Sequence, residues 1–503
     1  MRNGLFATLM PQNGDRSFVR IRCFLFVLLS VSFTALGTSA QEPAPGPARP
    51  VSVPAVKEAT LKNGLRIAVI EKRGVPLISV QMLIRSGAAG EGMKKAGLAN
   101  LTADMLTKGT KTRSAQQVAE EMEFLGSSIN SGAGWNSSNV GMTVTADKLN
   151  DAMAIFSDVL LNPAFSQEEL DLLRSQTLDD LKGNLQQPGF LASYVASVYT
   201  YGEHPTGGTP DSIQSISRED IASFYGREFT PANSVLIFVG DISSNDATKA
   251  AERFFGGWAQ GRSDENVSAP NRSSRSANPA IYSRILVVDL PNSGQASVNY
   301  VLPISGGGRK NADYYPASVL NSLLGGGYSS RLNQEIRIKR GLSYGARSGF
   351  GWRDTSATFG ASAQTKVVSA AEVAELIIAE IERLRNVNTT EGEILPRKAV
   401  LTGGFGRNLE TNQGLAGALG ELYSFGIPTS ELNAYMAKVD KVPGQAIRSF
   451  AQKNLVNGDI VIVGDYAQFK EDLAKRFPTA KIEVVKADEV DIESPTLRRS
   501  DIP

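Results

Sequence analysis

Residues 97–106 read Gly-Leu-Ala-Asn-Leu-Thr-Ala-Asp-Met-Leu and predict a helix. Asn100 and Asp104 are four residues apart, so their side chains share one face of that helix. Two metal ligands on one helix commonly have the same spacing. An amide oxygen is a poor zinc ligand, however, and the 503 residues contain one histidine, His204, far from this stretch. The spacing of a metal site is therefore present without its ligand chemistry.

This stretch resembles the motif of the pitrilysin/insulinase family of inverted-motif zinc peptidases, which reads Gly-Leu-Ala-His-x-x-Glu-His-Met-Leu. The resemblance aligns Asn100 and Asp104 with the two histidine ligands, and Ala103 with the general-base glutamate. It aligns Asp180, on a later helix, with the third ligand, a glutamate. Ala103 lacks the carboxylate that would deprotonate a zinc-bound water. We therefore expect this chain to bind no zinc, while a residual Asn100/Asp104/Asp180 oxygen site for a hard cation stays open.

A second motif of the family is retained. Residues 330–344 read Ser-Arg-Leu-Asn-Gln-Glu-Ile-Arg-Ile-Lys-Arg-Gly-Leu-Ser-Tyr and match the family pattern Ser-Arg-Leu…Arg…Gly-Leu-x-Tyr. The resemblance implies that Arg337 and Tyr344 donate hydrogen bonds to a substrate carbonyl and to the tetrahedral oxyanion. In the alternative, structural interpretation, Arg331 and Arg337 pair with helix carboxylates and Tyr344 is a half-buried strand residue. We favour the catalytic role for Arg337 and Tyr344, and a helix-pairing role for Arg331.

The chain repeats one plan twice. Three segments of the first half have counterparts in the second: Leu77–Ile84 with Ala296–Leu302, Gly132–Trp135 with Gly349–Trp352, and Ser234–Asp241 with Asp459–Asp465. We therefore predict an α+β fold of two homologous halves, each a mixed sheet packed with long helices. The resemblance covers residues 57–480 and implies a LuxS-like, processing-peptidase type of fold that forms half of a clam-like chamber.

The N-terminus predicts export. Arg16, Arg20 and Arg22 precede the apolar run Cys23–Val31, and small residues follow as far as Ala40. The apolar run is short for a transmembrane span, so we expect membrane attachment only through an uncleaved signal. Cys23 is the only cysteine, which leaves the mature chain without disulfides. We expect a periplasmic protein, with translation beginning at Met1 or at Met10.

Composition sets the remaining boundaries. The predicted segments are a signal peptide (1–40), a Pro-rich spacer without regular structure (41–56), an N-terminal domain with the degenerate motif (57–260), a linker (261–279), a C-terminal domain with the Arg/Tyr motif (280–490) and a tail (491–503). The formal net charge of +1 does not suggest a nucleic-acid partner. Gly325–Gly327 precedes a predicted helix, but no Walker pattern follows, so we interpret it as a tight turn. His204 is interpreted as a structural loop residue.

These observations lead to three hypotheses for the function. In the first, the chain is the zinc-less subunit of a heteromeric peptidase. Its partner is then a homologous subunit with the His-x-x-Glu-His motif, which binds the zinc and hydrolyses a peptide substrate. In the second, the chain is a non-catalytic peptide-binding or scaffold protein of the cell envelope. The third, an autonomous zinc peptidase, is disfavoured by the four substituted positions.

Overall fold

The computed structural model describes residues 51–259, 281–494 and 497–499. The predicted signal peptide and the predicted linker lie outside these residues. In the described part of the chain, the strands form two six-stranded sheets, one in each half. None of the helices described there has the length and hydropathy that crossing a bilayer requires.

The first sheet is mixed. Its strands are β1 (Lys57–Thr60), β2 (Arg66–Glu71), β3 (Leu77–Ile84), β4 (Asn130–Ala133), β5 (Ser138–Thr145) and β6 (Ser234–Gly240). Their order is β1-β2-β6-β3-β5-β4, with β2 and β6 parallel and all other neighbours antiparallel. The central strand β6, Ser-Val-Leu-Ile-Phe-Val-Gly, is buried at every position. Such a continuous apolar run is typical of a strand that is covered on both faces.

The second sheet repeats this arrangement. Its strands are β7 (Tyr282–Asp289), β8 (Ala296–Ser305), β9 (Ala346–Trp352), β10 (Ser356–Thr365), β11 (Gly458–Gly464) and β12 (Ile482–Lys486), in the order β12-β7-β11-β8-β10-β9. Five strands correspond between the sheets in position and direction, which confirms the predicted repeat. The sixth differs, because β1 pairs antiparallel with β2 whereas β12 pairs parallel with β7.

The first half is rich in helices. They are α1 (Leu98–Leu106), α2 (Ala115–Phe124), α3 (Leu149–Leu161), α4 (Gln167–Asn184), α5 (Pro188–Tyr199), α6 (Pro210–Ser215), α7 (Arg218–Glu228) and α8 (Ser244–Phe255). Helix α2 begins with a capping box, since the Ser114 side chain accepts from the Gln117 backbone N–H and the Gln117 side chain accepts from that of Ser114.

The second half is also rich in helices. They are α9 (Tyr314–Leu324), α10 (Ala370–Asn386), α11 (Glu391–Glu410), α12 (Asn412–Ser424), α13 (Glu431–Asp440), α14 (Gly444–Asn454) and α15 (Lys470–Arg476). A π-helix, Asn333–Ile338, lies between α9 and β9. This segment carries Arg337 of the retained Arg/Tyr motif, where the sequence predicted an ordinary helix.

Each sheet packs one face against helices of its own half. In the first half this core includes Phe156, Phe224 and Phe255, which pack beneath the strand residue Phe238. In the second half, Tyr300 and Phe359 on the sheet lie in one core with residues of α10, α14 and α15.

The opposite face of each sheet is covered by a helix from the other half. Helix α12, from the second half, places Leu415, Leu419 and Leu422 in one buried cluster with Val235 and Ile237 of the first sheet. Each buried leucine contributes about 1.5–3 kcal/mol through the apolar surface it removes from water.

The reciprocal contact is made by α5. This helix, from the first half, places Leu191 and Val195 in a buried cluster with Leu286, Val288 and Val461 of the second sheet. Neither half therefore completes the burial of its own sheet. We refer to these two contacts as the helix exchange.

Both ends of the described chain pack into the buried clusters of the helix exchange. Val53 lies within the predicted spacer, but it is buried, and its backbone N–H and C=O both bond to the Asn433 side chain. In the predicted tail, Ile492 and Leu497 are buried in the cluster beneath α5. Residues 51–56 form no helix or strand, as expected for the spacer, but their composition did not reveal that Val53 has a partner 380 residues away.

We predict that Leu419→Ala destabilises both halves together. The side chain is fully buried beneath the first sheet, so its truncation should lower the free energy of unfolding by about 2–5 kcal/mol. Urea unfolding followed by circular dichroism should show one shifted transition. Leu395→Ala is the matched control, because that leucine is 57% exposed on α11 and its loss should change stability by less than about 0.5 kcal/mol. Separate transitions for the two halves would contradict the prediction.

Candidate functional site

The helix with the degenerate motif, α1, is capped by a buried carboxylate. Glu91 accepts hydrogen bonds from the backbone N–H groups of Gly97 (2.8 Å) and Ala99 (2.7 Å). Its side chain is inaccessible to solvent. The N-terminus of a helix carries partial positive charge and unpaired donors, both of which favour a carboxylate at this place. The first turn of the helix that carries the degenerate motif is therefore held by the Glu91 carboxylate.

Asn100, at the position of the first histidine ligand, uses both ends of its amide. Its Nδ2 donates to the Thr206 carbonyl (2.6 Å), and its Oδ1 accepts from the Ala133 backbone N–H (3.2 Å). These two bonds tie α1 to the loop after His204 and to the edge strand β4. The amide that replaces a metal ligand is therefore part of the internal hydrogen bonding of the fold.

The other three aligned positions also differ from a metal site. Ala103 is fully buried and presents only a methyl group. Asp104 is half-buried, and burial raises the pKa of its carboxyl, with Lys108 opposing the shift. Asp180 lies exposed on α4.

These four residues do not fit a zinc ion, which needs three good ligands and an open position. Throughout the described ranges, no three His, Cys, Asp or Glu side chains lie close enough together to hold a metal.

His204 has the contacts of a structural loop residue, as the sequence predicted. Its Nε2 lies 3.0 Å from the Ala88 carbonyl, and its Nδ1 lies 3.3 Å from the Pro205 carbonyl and 3.7 Å from a Glu91 oxygen. The imidazole packs beside Trp135, with 5.1 Å between ring centroids. The histidine thereby links the segment before α1 to the turn between β4 and β5.

The two tryptophan-containing hairpins meet between the halves. Asn136 in the first hairpin donates to the Trp352 carbonyl in the second (3.1 Å). The Arg353 guanidinium lies 4.7 Å from the centre of the Trp135 ring and pairs with Glu203 at 2.9 Å. The counterparts recognised in the sequence are therefore in direct contact across the molecule.

The retained motif begins with a structural ion pair. The Arg331 side chain is 6% exposed and donates through Nε and Nη2 to the two carboxylate oxygens of Glu393 on α11, at 2.7 and 2.9 Å. This bidentate geometry suits a planar guanidinium. Arg331 has the helix-pairing contact that the sequence predicted.

Arg337 and Tyr344 have different surroundings. Arg337 is half-buried, and its guanidinium lies 4.7 Å from the centre of the Tyr328 ring. Among the described residues, no carboxylate pairs with it and no hydrogen bond uses its side chain. Tyr344 is 90% exposed in the segment between the π-helix and β9. The structural alternative for these two residues was wrong, because Arg337 has no carboxylate partner there and Tyr344 is not a half-buried strand residue.

Two further residues of this region were missed by the sequence analysis. Glu91 lies six residues before Gly97, and its capping of α1 follows from no local pattern that includes both. Tyr328 lies next to the glycine-rich turn, which was interpreted only as a turn. No local pattern in the sequence indicated that the Tyr328 ring contacts Arg337.

The comparisons with known proteins agree with this two-half peptidase architecture. A family profile described as insulinase (peptidase family M16) matches residues 66–196, and one described as peptidase M16 inactive domain matches residues 215–399. Together the two profiles cover most of residues 57–480, the part of the chain that contains the two halves. The chain belongs to the pitrilysin/insulinase family of peptidases.

Relatives in this family span most of the chain. A Mycobacterium leprae protein named as an uncharacterized zinc protease is 26% identical over 432 residues, which covers 82% of this chain and 93% of the relative. A Rickettsia bellii protein of the same name is 29% identical over 293 residues, covering 57% and 68%.

Solved structures agree with the fold. A peptidase M16 inactive domain from Pseudomonas fluorescens has a TM-score of 0.73 and 26% identity, covering 81% of this chain and 98% of that one. A Helicobacter pylori protease, 19% identical, has a TM-score of 0.75 over 82% and 100% of the two chains, a likeness in fold alone.

We predict that Glu91 makes stability fall as pH rises through neutrality. Burial raises the pKa of its carboxyl from 4.5 to about 7, although the Ala99 and Gly97 N–H groups oppose the shift. The folded state therefore binds this proton more tightly than the unfolded chain, and stability is lost as pH rises from about 4.5 to about 7. Glu91→Gln should remove a decline of roughly 3 kcal/mol between those values. Urea unfolding at pH 5, 6, 7 and 8 tests this, and parallel profiles for the two proteins would contradict it.

We predict that Arg331→Ala acts on stability. It leaves the Glu393 carboxylate partly buried without its partner, which should lower the free energy of unfolding by about 2–4 kcal/mol. Glu393→Gln should cost less, because an amide oxygen still accepts from the guanidinium. Chemical denaturation of both variants measures the difference, and a wild-type midpoint for Arg331→Ala would refute the assignment.

Proposed function

We propose that this chain is the zinc-less subunit of a two-subunit peptidase of the insulinase family. In this proposal, a homologous partner with the His-x-x-Glu-His motif binds the zinc and hydrolyses peptides, and this chain supplies Arg337 and Tyr344. The observation that carries the proposal is the contrast between two sites. At the aligned positions an amide replaces the first ligand, a methyl group replaces the general base, and no three possible ligands cluster among the described residues. Arg337 and Tyr344, in contrast, have no carboxylate partner in that part of the chain.

The chemistry of the two side chains suits oxyanion stabilisation. A tetrahedral intermediate of peptide hydrolysis carries negative charge on the former carbonyl oxygen, and preorganised donors lower its energy. The Tyr344 phenol donates one hydrogen bond without adding charge. Arg337 is always protonated and offers several N–H donors. Neither residue activates water, so the zinc-bearing partner has to perform that step.

Membership of the family supports a peptide-enclosing chamber, and the N-terminal sequence supports export. The two subunits would enclose an extended peptide in a chamber, of which this chain forms one half. The Arg-rich N-terminus with its apolar run supports export to the periplasm.

A non-catalytic function is the second candidate. The Pseudomonas fluorescens structure with the same fold is described as an inactive domain, which favours a peptide-binding or scaffold protein of the cell envelope. The two candidates differ in one respect, because only the first requires Arg337 and Tyr344 together.

The decisive experiment compares this chain alone with a mixture of the chain and its zinc-bearing homologue. We expect the isolated chain to contain far less than one zinc per molecule by mass spectrometry and to leave an internally quenched peptide library intact. The mixture should cleave the library. Stoichiometric zinc together with cleavage by the isolated chain would sink the proposal.

We predict that Tyr344→Phe lowers the turnover of the mixture by roughly ten- to a thousandfold, because it removes one oxyanion donor. The melting temperature should not change, since the lost hydroxyl is exposed. Arg337→Ala should lower both turnover and peptide affinity. Arg407→Ala, which removes an exposed arginine of α11, is the matched control and should behave as wild type. Unchanged cleavage by the first two variants would favour the scaffold candidate.

A further inference from the structure

The backbone of Arg337 is held in an unusual helix. The Lys339 N–H bonds to the Gln334 carbonyl at 3.0 Å, five residues back, which is the spacing of a π-helix. The helix ends where the Gly341 N–H bonds to the Arg337 carbonyl (3.0 Å), with Gly341 at a φ of +64°. Single π-helical turns occur frequently at functional sites. The position of the Arg337 main chain is therefore fixed on both sides.

The acidic residue of the same helix does not neutralise Arg337. Glu335 pairs with Lys339 and Arg340 instead. The side chain of Arg337 is left in contact with Tyr328, whose ring centre lies 4.7 Å from the guanidinium carbon. This distance is within the range of about 6 Å in which a ring attracts a cation.

Tyr328 is itself held by the turn before it. Gly325 lies so close to β9 that a Cβ there would be 2.3 Å from the Ser348 nitrogen, so no other residue fits. The Ser348 N–H also bonds to the Gly325 carbonyl (3.3 Å). The turn that precedes Tyr328 is thus fixed on the edge of the second sheet.

A single buried amide joins the three parts of this region. Asn333 Nδ2 donates to the carbonyls of Gly327 (3.0 Å) and Ala346 (2.8 Å), and Asn333 Oδ1 accepts from the Ala346 N–H (3.0 Å). Gly327 directly precedes Tyr328, and Ala346 follows Tyr344 by two residues. The main chains that carry Tyr328, Arg337 and Tyr344 are therefore connected through one side chain.

We infer that Tyr328 is a positioning residue that holds the Arg337 guanidinium for its substrate. A carboxylate partner would occupy two N–H donors of the guanidinium, whereas a ring attracts the charge and leaves those donors available. Tyr328 is 63% exposed, so its ring has little part in the core. This inference deepens the proposed function and rests on it for the effect on turnover, but the contact itself is testable without a partner subunit.

The first experiment measures the accessibility of Arg337 in the isolated chain. Phenylglyoxal modifies free guanidinium groups, and peptide mapping by mass spectrometry gives the rate at each arginine. We expect Tyr328→Leu to raise the rate at Arg337 several-fold and Tyr328→Phe, which keeps the ring, to leave it unchanged. Arg407 is the internal control and should react at one rate in all three proteins. An unchanged rate at Arg337 in Tyr328→Leu would overturn the inference.

The second experiment measures kcat/KM of the mixture with its zinc-bearing homologue, using an internally quenched peptide. We expect Tyr328→Leu to lower kcat/KM by about two- to fivefold, which corresponds to about 0.5–1 kcal/mol. Tyr328→Phe should match the wild type. In the Arg337→Ala background, Tyr328→Leu should have no further effect, because its role is exerted through Arg337.

The outcomes separate the inference from the proposed function. Additive effects of Tyr328→Leu and Arg337→Ala would show that Tyr328 acts independently, and would overturn the inference alone. If Arg337→Ala does not alter cleavage, the proposed function fails, and the phenylglyoxal rates still decide whether Tyr328 holds Arg337.

Discussion

The structure depends on the need of each sheet for apolar cover on both faces. Each half provides helices for one face of its own sheet, and the other face is closed by α12 or α5 from the opposite half. Water would otherwise contact strands such as β6, which are apolar at nearly every position. The helix exchange therefore fixes how the two halves are joined, and with it the contact between the Trp135 and Trp352 hairpins.

The two family motifs of this chain have different surroundings. At the position aligned with the first family ligand, Asn100 bridges α1, the loop after His204 and strand β4. Around Arg337, local contacts fix the main chain, and its guanidinium contacts the Tyr328 ring. The degenerate motif is therefore bound into the fold through the Asn100 side chain, whereas the retained motif presents Tyr344 to solvent.

Much of the fold could be predicted from local patterns. The repeated segments of the sequence identified β3, β6, β8 and β11, and residues 97–106 identified α1. Periodicity indicates that a face is apolar, but it does not specify which segment covers it, so the helix exchange could not be predicted. The roles of Asn100 and Glu91 depend on partners that are brought together only by folding. A π-helix has the same composition as an α-helix, so the geometry around Arg337 was also beyond the sequence.

The helix exchange has a consequence for the covalent continuity of the chain. Because α5 is seated on the second sheet and α12 on the first, each half is the missing layer of the other. The peptide bonds between Trp258 and Ile281 are then not what keeps the halves together. Two fragments divided in that interval would each expose a bare apolar sheet face and would recover it only by recombining. The architecture is that of an intramolecular domain swap, in which fragment complementation is built into the fold.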